Sequence, residues 1–377
     1  DKHPMTGPIT SVLRANRIMR NLSFFMRGCA GLILLSLIGQ SSAQDRGETT
    51  EYSDSATHQV VRDDTEQEPI EAEQSATTDD DVWLISTRHL GFLSLNDEPP
   101  FLLKISQYSD SGEWVESELK TLVNSKDRKT VVYLHGNRIG RHEAIRRAWN
   151  AFNVVQGDPD APPMRLIIWS WPSDQIHGQF RDFRYKASRT NSEGQYLAWF
   201  LSQLDPRTRI NLIGYSFGAR IATGALHVLG GGTLHGQSTP LADTENCERS
   251  PIKVVLIAAA LDSHWLAPGG YHERFSSVAD RLLVFYNSRD PILQRYRLLM
   301  KRARPAALGF RGAWGLDEDL AARTEQYDVS CSVGKTHSES AFLLSRQVVE
   351  GVQQLMRLNA KTEIAIGQTP ESLAFGR

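Results

Sequence analysis

Short apolar runs alternate with stretches of helical spacing from residue 81 to residue 358. Asp81 to Ser86 and Phe101 to Ser106 have strand character and are expected to pair with each other. Thr130 to Leu134 is continuously apolar, as strands buried on both faces are. Arg165 to Trp171 is a further strand, stopped by Pro172, and Arg209 to Ile213 follows as another. Ile252 to Ala258 and Arg281 to Tyr286 read as buried strands, and a short last strand is expected between Gln326 and Ser330. Helical spacing fills the gaps. Arg141 to Phe152 is one such stretch. Ser188 to Leu204 is a second, with Tyr196, Leu197, Phe200, Leu201 and Leu204 on one face. Ala219 to Leu226 is a third, and an amphipathic helix from Ser340 to Leu358 closes the pattern. Strands alternating with helices predict an α/β domain over 82–358, with a mostly parallel central sheet and helices on both faces. No internal repeat interrupts it.

Charge changes the picture at the N-terminal end. The formal net charge is −2 over 377 residues, but residues 44–81 hold 13 acidic and 2 basic side chains. That segment is poor in aromatic and β-branched residues and cannot bury enough apolar surface to offset its ordering entropy. It is expected to be an acidic disordered linker. Residues 1–43 read as a signal peptide whose true start is Met19. Arg20 and Arg27 form the basic region, Cys29 to Gly39 is apolar, and Ser41-Ser42-Ala43 supplies a cleavage site. The apolar run is about half the length that a membrane-spanning helix needs. A secreted or periplasmic protein, without a stable membrane span once the leader is removed, is the expectation. Residues 359–377 show no period and are expected to fray.

The three cysteines, Cys29, Cys247 and Cys331, lack metal-ligand spacing. The expected cofactor and metal content is therefore none. With the leader removed, Cys247 and Cys331 are left. One disulfide between them and two separate thiols fit the sequence equally. Residues 82–377 carry a net charge of only +5 and no nucleic-acid motif, which argues against a nucleic-acid partner.

The candidate chemistry centres on Gly214-Tyr215-Ser216-Phe217-Gly218, between a predicted strand and a predicted helix. A serine between two glycines at such a junction turns sharply, with its hydroxyl projecting from the end of the sheet. A neutral hydroxyl is a poor nucleophile, so it needs a base, and the base an orienting carboxylate. His337, in the loop between the last strand and the last helix, is the candidate base. A surface histidine near the start of that helix is the alternative, although Ser338 is the more natural cap. Asp290 follows the strand next to the histidine loop and is the favoured acid. It also has the form of a helix N-cap, because Pro291 follows it. Asp262, after the preceding strand, competes for the same role. The Phe217 N–H and the Asn137 N–H, in the loop Leu134-His135-Gly136-Asn137, are the expected oxyanion donors. His135 is expected to be a packed residue that orients this loop.

Two weaker features stand outside this set. Arg295, Arg297, Lys301, Arg302 and Arg304 form a basic run, read as a solvated helix face or a site for phosphate or headgroups. Trp265, Leu266, Tyr271 and Phe275 fit either a lid over an apolar pocket or core packing.

The His135-Gly136 loop, the Gly214 to Gly218 elbow, an aspartate after a late strand and a terminal histidine resemble the α/β-hydrolase superfamily. Trp169-Ser170-Trp171-Pro172-Ser173, Ile210 to Ile213 and Tyr286 to Leu293 resemble a bacterial family of α/β hydrolases of unknown function over about residues 82–350. The resemblance implies an α/β-hydrolase fold and a serine catalytic triad with Asp290 as its acid, and no particular substrate. Two positions depart from the family, Tyr215 where histidine is frequent and Phe217 where methionine is. The expected function is an exported serine hydrolase acting on a small-molecule or lipid-like carboxylic ester. Amide cleavage or acyl transfer would use the same residues. A non-catalytic binding protein on a hydrolase scaffold is the reading from another class.

Overall fold

The computed structural model describes residues 80–357, except 95, 126–127, 158–161, 243–248 and 301–305. All of these belong to one compact unit, Ile70–Arg377. The expected signal peptide, the acidic linker as far as residue 79 and the tail 359–377 lie outside the described residues. The last two positions of the expected linker belong to the fold. Asp80 accepts the Met164 N–H at 3.0 Å, and Asp81 pairs with Arg165 at 2.7 Å.

The strands are β1 Asp81–Ser86, β2 Lys104–Tyr108, β3 Trp114–Ser117, β4 Thr130–Leu134 and β5 Arg165–Ser170. They are followed by β6 Ile210–Tyr215, β7 Ile252–Ile257, β8 Ala279–Tyr286 and β9 Thr324–Asp328. They form one nine-stranded sheet in the order β3-β2-β1-β5-β4-β6-β7-β8-β9. From β1 to β9 every neighbouring pair is parallel, and β2 and β3 are added as an antiparallel meander at one edge.

The longer helices are α1 Arg141–Gln156, α2 Gln179–Gln203 and α3 Phe217–Leu229, with α4 Glu339–Leu343 and α5 Arg346–Arg357 at the end. The step from β4 to β5 runs one way along the sheet, and the steps β5 to β6 and β6 to β7 run the other. Right-handed crossovers therefore place α1 on one face and α2 and α3 on the other. The reversal falls at β4 and β6, and a crevice at the carboxyl ends of strands opens at such a point. His135 and Ser216 immediately follow those two strands. No helix among the described residues is long and apolar enough to cross a membrane.

β4, β5 and β6 are buried along their whole length, which is why their central positions are apolar in sequence. Three buried tryptophans keep their N–H groups paired. Trp83 donates to Asp81 at 2.6 Å, Trp169 to Glu193 at 3.0 Å and Trp171 to the His135 carbonyl at 2.9 Å. Glu193 is buried as well, and its charge is met by Arg189 at 2.6 Å and by the Thr87 hydroxyl at 2.8 Å.

Several expected boundaries differ. The second strand starts at Lys104 and not at Phe101, because Phe101 turns its ring onto Tyr196 and Trp199 at 4.9 and 5.3 Å and leaves the ladder. The short strand β3 was not expected. A turn ending at Gly112, whose φ is +84°, folds it back onto β2. α2 begins nine residues before its predicted start at Ser188. Its first half buries Asp182, Lys186 and Arg189, so a polar surface hides its apolar stripe. The predicted closing helix is two helices. The break is at Leu344 and Ser345, where Leu344 is exposed and the Ser345 hydroxyl meets the Ser332 hydroxyl at 2.8 Å. β9 lies two residues before its predicted place and is mostly polar, as an edge strand can be.

Candidate active site

β6 ends at Tyr215 and α3 starts at Phe217, so Ser216 alone makes the turn between them. Its φ of 53° and ψ of −114° place it in a region that residues with a side chain rarely occupy. The flanking glycines are required by contact. A Cβ on Gly214 would lie 2.5 Å from the Ala219 Cα, and one on Gly218 only 2.0 Å from the Leu134 carbonyl oxygen. Ser216 donates its N–H to the Ile257 carbonyl at 3.0 Å and accepts the Ala260 N–H at 3.1 Å, so the end of β7 holds the turn.

Around this turn the structure brings together the three groups that the sequence singled out. The Ser216 Oγ lies 3.0 Å from His337 Nε2, and His337 Nδ1 lies 2.5 Å from Asp290 Oδ2. Asp290 is fully buried, and the His337 side chain is 18% exposed, which leaves the imidazole open to an incoming molecule on one side. Asp290 also caps the segment after it. Its Oδ1 accepts the N–H groups of Ile292 at 2.8 Å and Leu293 at 3.0 Å. The cap and the contact to His337 are thus made by one residue, using one oxygen for each. Asp262 is buried in a bridge with Ala307, and the histidine's Nδ1 is met by Asp290.

The loop after β4 passes directly against the serine. A Cβ on Gly136 would lie 3.1 Å from the Ser216 Cβ and 2.9 Å from the Tyr215 ring. The Phe217 N–H, at the first position of α3, has no intrahelical acceptor. The Asn137 side chain donates to Asp182 at 3.2 Å, and Arg138, at φ 58°, pairs with the same carboxylate at 2.8 Å. Asp182 is buried at the start of α2, so it anchors this loop from below.

His135 is the packed residue that the sequence suggested. Its Nδ1 contacts the Gly136 carbonyl at 2.9 Å, and its Nε2 accepts the Trp171 N–H at 3.2 Å. Burial, helped by the Arg88 guanidinium, lowers its pKa to about 3. It is therefore neutral and holds the loop, and it has no free nitrogen with which to act as a base. Its neutrality has a consequence for stability. An unfolded histidine titrates near about 6.5, so the unfolded chain binds the extra proton between that value and about 3. The contribution is complete above about pH 6.5 and falls as the pH drops, by about 1.4 kcal/mol per pH unit. His272, also buried and lowered by burial and by Arg220, acts in the same direction. Urea midpoints are therefore expected to fall between about pH 7.5 and about pH 5, and less so in His135→Asn. An equal fall in that variant would contradict this account.

Several contributing groups carry no local sequence signal. Asn287 donates from its side chain to the Gly334 carbonyl at 2.8 Å and the Thr336 carbonyl at 2.9 Å, pinning the approach to His337. It belongs to the same Tyr286 to Leu293 stretch as Asp290, and that shared stretch is its signal in the sequence. The Tyr215 hydroxyl donates to the His337 carbonyl. Glu339, two residues past His337, is buried and meets Tyr133 and Arg147.

The weaker candidates fall elsewhere. Trp265, Leu266 and Phe275 are buried, and Trp265 packs on the Arg220 guanidinium at 4.4 Å, so this segment is core and not a lid. A cavity of about 690 Å³ beside α3, with Arg220, His227 and Tyr271 in its wall, does not include Ser216, His337 or Asp290. Arg295 and Arg297 are exposed, whereas Lys301, Arg302 and Arg304 lie outside the described residues. The Cys331 thiol is exposed and Cys247 lies outside the described residues, so the choice between one disulfide and two separate thiols stays open.

A mostly parallel sheet with helices on both faces and a strained serine between β6 and α3 make an α/β-hydrolase fold. No family model matches the chain, and no curated protein matches it. Among solved structures it is similar to an esterase B from Lactobacillus rhamnosis inhibited by a C6-C4 SN3 compound. That chain is 13% identical, with 78% of this chain and 93% of the other covered and a TM-score of 0.33. A second structure, of the same esterase with a C4-C4 SN3 tributyrin phosphonate, is 13% identical with coverage of 76% and 89% and a TM-score of 0.32. Likenesses this distant add nothing to the site, whose reading rests on its own distances.

Proposed function

We propose that the chain is an exported serine hydrolase that cleaves carboxylic esters through an acyl-enzyme on Ser216. The observation that carries this reading is the chain of contacts Ser216 Oγ, His337 Nε2, His337 Nδ1 and Asp290 Oδ2, at 3.0 and 2.5 Å, with the serine held at φ 53°. A carboxylate at Nδ1 holds the proton there and leaves Nε2 free to accept one. As the Ser216 oxygen attacks the ester carbonyl carbon, its proton passes to Nε2, and Asp290 stabilises the imidazolium.

The negative oxygen of the tetrahedral intermediate is received by the N–H groups of Phe217 and Asn137. Each such donor lowers the barrier by about 3 kcal/mol in a site of this kind. When the carbon–oxygen bond to the alcohol breaks, Nε2 returns its proton to the departing oxygen. A water then loses a proton to Nε2, attacks the acyl carbon and frees the acid, and the Ser216 oxygen is reprotonated. Export is supported by the basic, apolar and small-residue order of residues 19–43.

The test is a fluorophosphonate probe, which phosphonylates an activated serine with loss of fluoride. The native protein is expected to be labelled, and Ser216→Ala is expected to lose the label. Absence of labelling in well-folded native protein would overturn the enzyme in favour of a binding scaffold.

A further inference from the structure

The loop that carries His337 is held at three successive points, and each tie is made from a buried group. Before the histidine, the Asn287 amide binds the Gly334 and Thr336 carbonyls. At the histidine itself, the Tyr215 hydroxyl donates to the residue's own carbonyl. Just after it, Glu339, only 2% exposed, accepts from the Tyr133 hydroxyl at 2.7 Å and from the Arg147 guanidinium at 3.0 Å.

The last two ties lead back to the serine. Tyr215 is the residue before Ser216, so its ring cannot move without moving the elbow. That ring is buried against the Gly136 loop, and its centroid lies 5.5 Å from the His337 ring. The Arg147 guanidinium lies 6.0 Å from the centroid of the same tyrosine and is itself held by Glu143 at 2.5 Å. Tyr133, the other partner of Glu339, is on β4, which is hydrogen-bonded along its length to β6. Both routes therefore run from the imidazole's backbone to the strand that ends in the nucleophile.

A buried carboxylate paired with a half-buried guanidinium is a costly way to fasten a loop, and apolar contacts hold a helix end more cheaply. What they supply is a fixed distance. Burial pushes the Tyr215 and Tyr133 hydroxyls well above their ordinary range, so both remain donors wherever the protein is folded.

We propose that Tyr215 and Glu339 are positioning residues that set the separation between the His337 imidazole and the Ser216 hydroxyl, acting through the backbone of the loop between β9 and α4. The tyrosine at the elbow, where the resembling family frequently has histidine, thereby has a specific task. The inference rests on the serine-hydrolase reading for its kinetic consequence, but its geometric content can be read without turnover.

The experiment compares Tyr215→Phe and Glu339→Gln with the native chain, using a short-chain p-nitrophenyl ester. A displacement of about 1 Å at a reacting pair costs up to about 100-fold. Each variant is expected to lose about 10- to 100-fold in kcat, with KM within about twofold of native. The pair together is expected to lose less than the product of the single losses, because both act on one loop. In parallel, the proton resonance of His337 Nδ1–H is expected to shift or broaden in Tyr215→Phe. A native kcat and an unmoved resonance in Tyr215→Phe would overturn the proposal, as would a rise in KM alone. Tyr215→Phe keeps the ring and its packing, so it carries the test if Glu339→Gln does not fold. If the native chain is not labelled by a fluorophosphonate, the hydrolase reading fails by itself. The Nδ1–H resonance then decides the positioning role alone.

Discussion

Asp290→Asn is expected to lower turnover of a p-nitrophenyl ester by about four orders of magnitude, while Asp262→Asn leaves it within a few-fold per mole of folded protein. The difference follows from the two jobs of Asp290. Its Oδ1 accepts the Ile292 and Leu293 N–H groups, and an asparagine oxygen can still do so. Its Oδ2 faces His337 Nδ1, and there an amide would present N–H groups. The imidazole would then hold its proton on Nε2, toward Ser216, and could not accept the serine's proton. Asp290→Asn is thus expected to melt close to the native temperature and yet be nearly inactive. A variant with native turnover would place the orienting acid elsewhere, and Asp262 would be the first replacement to consider.

The second large effect concerns the nucleophile and base together. Ser216→Ala and His337→Ala are each expected to cost about 10⁴- to 10⁶-fold in kcat, and the double variant about as much as either alone. In the proposed mechanism the two side chains perform one proton-coupled step, so removing the second leaves nothing further to lose. What remains would be the activity of the Phe217 and Asn137 donors and of substrate binding. Losses that multiply in the double variant would mean that serine and histidine act independently, and the 3.0 Å contact between them would then have no mechanistic meaning.

The sequence was most legible where one physical requirement dominates. Buried parallel strands need apolar centres, so β4 to β8 stand out. A serine forced to φ 53° between strand and helix needs small neighbours, so the elbow stands out as well. His337 and Asp290 followed from their places after strands, since groups at that end of a parallel sheet converge. His135 was correctly read as packed.

The features without a local signal share another property: their polar groups are satisfied by partners far away in the chain. Tyr215 meets the carbonyl of a residue 122 positions on, and Arg147 meets Glu339 across 192 positions. No local pattern announces such pairs. The buried charges in the first nine residues of α2 conceal its helical stripe for the same reason, because Asp182 reads as a surface residue until Asn137 and Arg138 are beside it. Sequence also posed a false choice at Asp290. It set the cap against the carboxylate, and the two oxygens do both.

The central claim is that the Ser216 oxygen becomes covalently acylated. Mass spectrometry of protein quenched in acid during turnover of a short-chain p-nitrophenyl ester tests it most directly. A gain of one acyl group on the peptide that contains Ser216, absent in Ser216→Ala, is the predicted result. Rapid turnover by native protein with that peptide unmodified, or with the acyl group on another residue, would contradict it.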